Sequence, residues 1–298
     1  MRYFEPDFFE DFHCIADRCR HSCCKGWEID IDRESLIRYS KTKGDIGQKL
    51  RNSISTEGEP CFILSEDESC PFLQDNGLCR LIIELGEDSL CEICREHPRF
   101  YNYYSGREER GLGLCCEEAV RLLLNSPEPF KIIEYDRDGD VKQENEIVLL
   151  RDRILEMLSD ESNPLFKRML SCLELCGAKV FDFDHVFWCR YLLSLERMDE
   201  GWTTMLKKAE QEKGSVFYQG IKARRLAAYF VYRHFAVLSA AYDPASALIF
   251  CFLSTAVIMA VGDIDGENLE HIRLYSCEIE YSDENIQLIM DKICKRQK

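Results

Sequence analysis

Cysteine placement constrains this chain more than any other feature. Eleven cysteines fall within the first 116 residues: Cys14, Cys19, Cys23, Cys24, Cys61, Cys70, Cys79, Cys91, Cys94, Cys115 and Cys116. Only six follow in the rest of the 298-residue chain: Cys172, Cys176, Cys189, Cys251, Cys277 and Cys294. A chain of this length buries a full core without covalent crosslinks, so its size does not call for a disulfide scaffold. The N-terminus, Met1-Arg2-Tyr3-Phe4-Glu5-Pro6-Asp7, carries acids and no apolar h-region, so it does not read as a secretory signal. Both points place the chain in a reducing, cytoplasmic compartment. There, dense cysteines bind metal more often than they pair with one another. The six later cysteines sit in apolar helical surroundings, as with Leu173 and Leu175 beside Cys172 and Cys176, and read as small core hydrophobes.

The early cysteines form two clusters. The first is Cys14-x4-Cys19-x3-Cys23-Cys24, followed by Trp27. The second runs Cys70-Pro71-Phe72-Leu73, Cys79, Cys91-x2-Cys94 and Cys115-Cys116. Thiolates suit soft and borderline metals, and close spacing lets one loop wrap an ion. Adjacent Cys23 and Cys24 would point to opposite faces of a strand, so they imply an irregular loop or two sites. Cys91 and Cys94, three apart, would share a helix face. An iron–sulfur cluster, of the 4Fe–4S kind, is the preferred reading, with zinc as the alternative, because spacing alone does not separate them. A radical-type Cys-x3-Cys-x2-Cys motif is absent, since Gly26 stands where its third cysteine would fall. Phosphate-loop, dinucleotide, nucleophile-elbow and His-Glu-x-x-His motifs are also absent.

The expected fold is mainly α: a cysteine-rich metal-binding N-terminal region of short helices and loops, then an all-α helical bundle. One small β-hairpin is allowed near 130–142. The expected division is 1–126 for the cluster domain, 127–143 for a linker or hairpin, and 144–298 for the helical domain. Helices are predicted over 33–50 with Asp32 as N-cap, 81–85, 89–96 and 117–124. Further helices are predicted at 164–176, 184–195, 200–213, 218–242, 244–261 and 283–295. The run Ala245–Val261 is apolar enough to suggest a membrane span, but its length and acidic flanks favour a buried core helix. A net charge of −16 argues against nucleic-acid partners and favours, weakly, a basic protein substrate.

The run Phe12-x-Cys14-x4-Cys19-x3-Cys23-Cys24-x2-Trp27-x-Ile29-x-Ile31-Asp32 resembles the flagellin lysine-N-methylase family. So do Cys70-Pro71-Phe72-Leu73, Gly77-Leu78-Cys79-Arg80, Leu85-Gly86-Glu87, Cys94-x3-Pro98-Arg99 and Cys116-x-Glu118-Ala119-x-Arg121-Leu122. The stretch Tyr229-Phe230-Val231-Tyr232-Arg233-His234-Phe235 is similar more loosely. The broader relative is the cysteine-rich, zinc- or iron-chelating domain family. Carried over by position, the resemblance implies metal ligands among Cys14, Cys19, Cys23, Cys24, Cys70, Cys79, Cys94 and Cys116, with Cys61, Cys91 and Cys115 as extras. It implies methyl transfer from S-adenosylmethionine to a lysine of flagellin, with an iron–sulfur centre involved. For the cofactor it leaves Trp27, Tyr101 and Arg99 as candidates, and for proton abstraction Glu117, Glu118 and Tyr103. The competing reading is a non-enzymatic metal-binding module with a structural or partner-binding role.

Overall fold

In the computed structural model, residues 1–139, 145–179, 183–211 and 219–297 are described. They form two compact units, His13–Phe100 and a larger one built from Met1–Phe12 with Tyr101–Lys298. The boundary expected near residue 126 therefore falls inside the larger unit. The reason is the N-terminal strand, which pairs with strands from both sides of that boundary.

A four-stranded mixed sheet joins strands β1 (Arg2–Pro6), β2 (Arg99–Tyr104), β3 (Arg107–Leu112) and β4 (Ile132–Arg137) in the order β2-β3-β1-β4. Strand β1 runs parallel to β3, with Phe4 opposite Glu109, and antiparallel to β4, with Pro6 opposite Ile132. Only the strand near 130–137 was expected, and it pairs with β1. The expected return at Val141 lies outside the described residues, as do the helix ends expected at Lys213 and Tyr218.

The rest of the larger unit is helical, so the chain is mainly α with a mixed sheet. Helix Pro244–Val261 is its centre: every residue from Ser246 to Ile258 is buried. It begins with Pro244 behind Asp243, whose carboxylate accepts from Ser246 N at 2.9 Å. Among the described residues it alone is long and apolar enough to cross a membrane, and it is mostly buried within the fold, as a helix apolar on all sides should be. Helix Gly220–Phe230 continues through a π-helical turn, Val231–Phe235, into Ala236–Ala241. A second π-helical turn, Ser276–Glu280, follows helix Glu270–Tyr275. Arg225 is fully buried and ties the N-terminal segment to this bundle, bonding Asp7 at 2.9 and 3.1 Å and Glu128 O at 2.9 Å.

Gly262 ends the central helix flush against the buried His271 ring, only 2.5 Å from where a Cβ would stand. Burial lowers the His271 pKa to about 4, against the opposing pull of Asp263 and Glu270. An unfolded histidine takes its proton near pH ~6.5, whereas the folded one resists until about pH 4. Over that window the unfolded chain binds more protons, so stability must fall as the pH drops. Urea unfolding at pH 7 and pH 4.5 is expected to show a smaller loss for His271→Gln than for the unaltered chain, by about 2–3 kcal/mol. Equal losses would contradict this.

Candidate metal centre

Within the smaller unit, one polar residue joins two helix starts. Asp32 Oδ1 accepts from Ser35 N at 2.9 Å, capping helix Arg33–Lys41, and its Oδ2 accepts from Glu92 N at 2.8 Å, at the start of helix Glu92–Glu96. Against some cost of burial, these bonds and the Ser35 hydroxyl hold the Asp32 carboxyl down at about 2. Asp32 was the expected N-cap, but the helix it starts is shorter than predicted. The chain breaks at Thr42, and a second helix runs Gly44–Asn52, with Gly44 at φ +77°. Between that helix and Cys70 the chain forms the antiparallel two-residue strands Ile54–Ser55 and Cys61–Phe62.

These elements enclose a small core of Ile29, Ile31, Tyr39, Leu50, Phe62, Phe72 and Leu81. Cys70 and Cys91 are buried in it, while Cys24, Cys79 and Cys94 pack partly exposed against it. The two sequence clusters meet through the backbone, where Cys70 N donates to Cys24 O at 2.8 Å. Bridging between Leu73 and Cys79 and a bond from Arg80 N to Phe72 O at 2.8 Å fold the Cys70–Cys79 loop back on itself. Cys91 precedes helix Glu92–Glu96 and Cys94 lies on it, so their thiols hydrogen-bond across one turn.

The electrostatics show how closely these groups are gathered. Burial pushes the Cys70 thiol up to about 12, with Cys24 and Cys79 adding to the rise. Burial likewise raises Cys79, with Cys24 and Cys91 contributing. Cys94 is raised by its hydrogen bond to Cys91, by burial and by the other thiols, whereas that bond lowers Cys91. A hydrogen bond with Cys23 lowers Cys24 to about 7. Tyr39, whose hydroxyl donates to Ser89 O at 2.8 Å, lies beside Cys91. All seventeen cysteines are free thiols. Among the described residues, no three His, Cys, Asp or Glu side chains are grouped tightly enough to hold a metal ion. The donor chemistry suits a thiophilic metal: five thiols lie in or against one core, and buried thiols ionise only where positive charge compensates them.

Of the eight cysteines implied by the resemblance, four belong to this gathering: Cys24, Cys70, Cys79 and Cys94. Cys14 and Cys23 are exposed, and Cys19 donates to His21 O at 3.0 Å. Cys116, with Cys115, belongs to the larger unit. Cys91, read from sequence as an extra, is buried at the middle of the group; its spacing from Cys94 was the signal for it. Cys61 stays at the side, on the short strand Cys61–Phe62.

The other candidates are dispersed. Trp27 donates from Nε1 to Cys23 O at 2.7 Å and lies tilted toward His97 with ring centroids 6.3 Å apart. Burial lowers the His97 pKa to about 4. Arg99 donates to Arg95 O at 3.4 Å. Tyr101 and Tyr103 are exposed on β2 of the larger unit. Glu117 and Glu118 stand in the first turn of helix Glu117–Asn125, and Arg121 grips both Glu118 oxygens, at 2.6 and 2.7 Å.

Comparison with curated proteins gives partial but consistent matches. The chain is 32% identical over 138 residues to the lysine-N-methylases of Salmonella choleraesuis and Salmonella typhimurium, covering 44% of this chain and 34% of each relative. It is 31% identical over 138 residues to the flagellar biosynthetic protein FliU of Salmonella muenchen, covering 81% of that protein. The chain thus spans about a third of the two methylases it matches. No family model and no solved structure matches it.

Proposed function

Because this chain belongs to the family of the Salmonella lysine-N-methylase and FliU proteins, we propose that it is an iron–sulfur-containing, S-adenosylmethionine-dependent lysine N-methyltransferase that acts on flagellin in the cytoplasm. The observation that carries the metal part of this reading is the gathering of Cys24, Cys70, Cys79, Cys91 and Cys94 around one core. Cys24, Cys70, Cys79 and Cys94 would hold the cluster, with Cys91 as a fifth thiol beside them. When bound, the cluster supplies a Lewis-acidic iron or a crosslink that organises the unit.

Methyl transfer needs a neutral lysine Nζ in line with the sulfonium methyl carbon. The N–C bond forms as the S–C bond breaks, sulfur keeps the electron pair, and the lysine proton leaves to a base. Desolvating the ammonium favours its neutral form. Trp27, packed against the same core as Cys24, offers an aromatic face to a sulfonium, and Arg99 a cation to a carboxylate. Of the groups considered for that base, Glu118 has both of its oxygens occupied by Arg121. The net charge of −16 favours approach of a lysine-bearing protein surface.

Coverage of only 34% of the methylase relatives favours a second reading, a metal-holding module without transferase activity. One experiment separates the two. Anaerobically purified protein is incubated with S-adenosylmethionine and flagellin, and flagellin lysines are read by peptide mass spectrometry. Methylated lysines that require the cofactor and the protein are expected. Folded, iron-loaded protein that neither binds S-adenosylmethionine nor methylates flagellin would leave the module reading standing.

A further inference from the structure

Two π-helical turns are rare in one chain, and here both carry charge into the core of the larger unit. A π-turn inserts one residue into a helix and re-aims the side chains around it, often at functional positions. On Val231–Phe235 these side chains are Arg233 and His234; on Ser276–Glu280 the side chain is Glu280. Glu280 Oε1 lies 2.6 Å from His234 Nε2, 3.2 Å from the Tyr229 hydroxyl and 3.3 Å from the Arg233 guanidinium. Arg233 also donates to the Tyr229 hydroxyl at 2.7 Å. All four residues are buried, so the guanidinium is fixed on several sides.

That fixed guanidinium faces outward onto a second group. It lies over the ring of Tyr281, 4.9 Å from the centroid. Tyr281 is half exposed, but its hydroxyl is pressed onto the backbone of Gly113, where an added Cβ would stand 2.2 Å from that oxygen and 3.2 Å from Arg233 Nη1. The Tyr281 hydroxyl is also hydrogen-bonded with the Cys115 thiol. Gly113 opens a tight turn closed by Cys116 N donating to Gly113 O at 3.4 Å, and Cys116 O then accepts from Val120 N at 3.1 Å to begin helix Glu117–Asn125. The Cys116 thiol makes no capping bond to that helix. Tyr281 and Arg233 thus grip the turn that presents Cys116.

We propose that Tyr281, held by Arg233, is a positioning residue that clamps the Gly113–Cys116 turn and fixes the direction of the Cys116 thiol. Every residue of the clamp lies within the larger unit, so it stands apart from the reading of the metal centre. The clamp explains why glycine stands at 113: any side chain would displace the Tyr281 hydroxyl. It also gives the paired π-turns a purpose, since they set the guanidinium that sets the phenol.

The test uses the full chain with Tyr281→Phe and Gly113→Ala, and Tyr275→Phe as control. Tyr275 is a buried tyrosine of the same stretch, and its hydroxyl bonds Ser254 at 2.8 Å. Metal-free protein is treated with iodoacetamide, and alkylation of Cys116 is timed by peptide mass spectrometry. Loss of one hydrogen bond of about 1 kcal/mol should raise an open turn population about fivefold. Cys116 is therefore expected to react about fivefold faster in Tyr281→Phe, and faster again in Gly113→Ala, with Tyr275→Phe unchanged. Alkylation unchanged in both variants, or raised equally in Tyr275→Phe, overturns the clamp.

Discussion

Cys70→Ser or Cys94→Ser is expected to lower metal affinity by at least about 100-fold, whereas Cys61→Ser leaves it unchanged. Losing a partner that merely orients a ligand already costs about 10–100-fold, and losing the ligand itself costs more. Cys70 is buried, and Cys24 and Cys79 lie close enough to raise its pKa further. Cys94 is hydrogen-bonded to Cys91 and feels Cys24 and Cys70 as well. Cys61 has no such company; its causes are slight burial and the charges of Glu28 and Asp30. The measurement is iron, zinc and sulfide content with visible absorbance, on protein purified without oxygen. Serine is nearly isosteric with cysteine, so metal-free variants should melt within a few degrees of the metal-free parent. Metal binding adds its free energy to folding, so only the loaded parent should gain a higher melting temperature. Full metal content in Cys70→Ser would remove Cys70 from the centre. Equal losses from Cys14→Ser would mean that the exposed first cluster, rather than the core group, carries the ligands.

The parts of this fold legible in the sequence are those where one residue type carries one physical message. Pro244–Val261 is apolar throughout, and it becomes the buried central helix. Asp32 announces a helix start because a short carboxylate accepts the unpaired N–H groups there, and it does so. The sheet was hidden because its middle is polar. In β3, Arg107-Glu108-Glu109-Arg110-Gly111-Leu112, every second residue from Arg107 points inward, but two of the first three are charged, so alternation of apolar and polar never shows. The turn that precedes it, Ser105-Gly106 with Gly106 at φ +74°, carries a hairpin signal that lacked apolar flanks to support it. Strand β1 pairs with partners about a hundred residues away, which no local pattern reports. At the thiol group the spacing paired Cys91 with Cys94, whereas the family resemblance carried over Cys94 and left Cys91 as an extra. The two are equivalent on one helical turn, and only burial beside Tyr39 distinguishes them.

The same buried charges that concealed β3 make the second strong prediction. Glu109 and Arg151 are both fully buried and paired through two bonds, at 2.5 and 2.6 Å. Arg107 lies 2.5 Å from Glu109, and Asp152 is 2.7 Å from Arg107 and 2.6 Å from Arg151. Two cations and two anions thus balance, sandwiched between the rings of Phe4, 3.7 Å from Arg107, and Tyr232, 5.2 Å from Arg151. Arg151→Met keeps most of the volume but leaves two anions facing one cation in the core. Removing one partner of a buried pair typically costs about 3–5 kcal/mol, because the remaining charge cannot regain its water. For a unit of this size that corresponds to a melting temperature lower by about 10 °C. Arg107→Met should cost less, because Arg151 still spans both Glu109 oxygens. Combining Arg151→Met with Glu109→Gln should recover much of the loss, since Arg107 and Asp152 then neutralise each other. Such recovery would mean that charge balance, rather than the packing of the Arg151 stem, is what the larger unit requires at this point. If the double variant is no more stable than Arg151→Met alone, the stem's contacts with Tyr232 carry the stability instead.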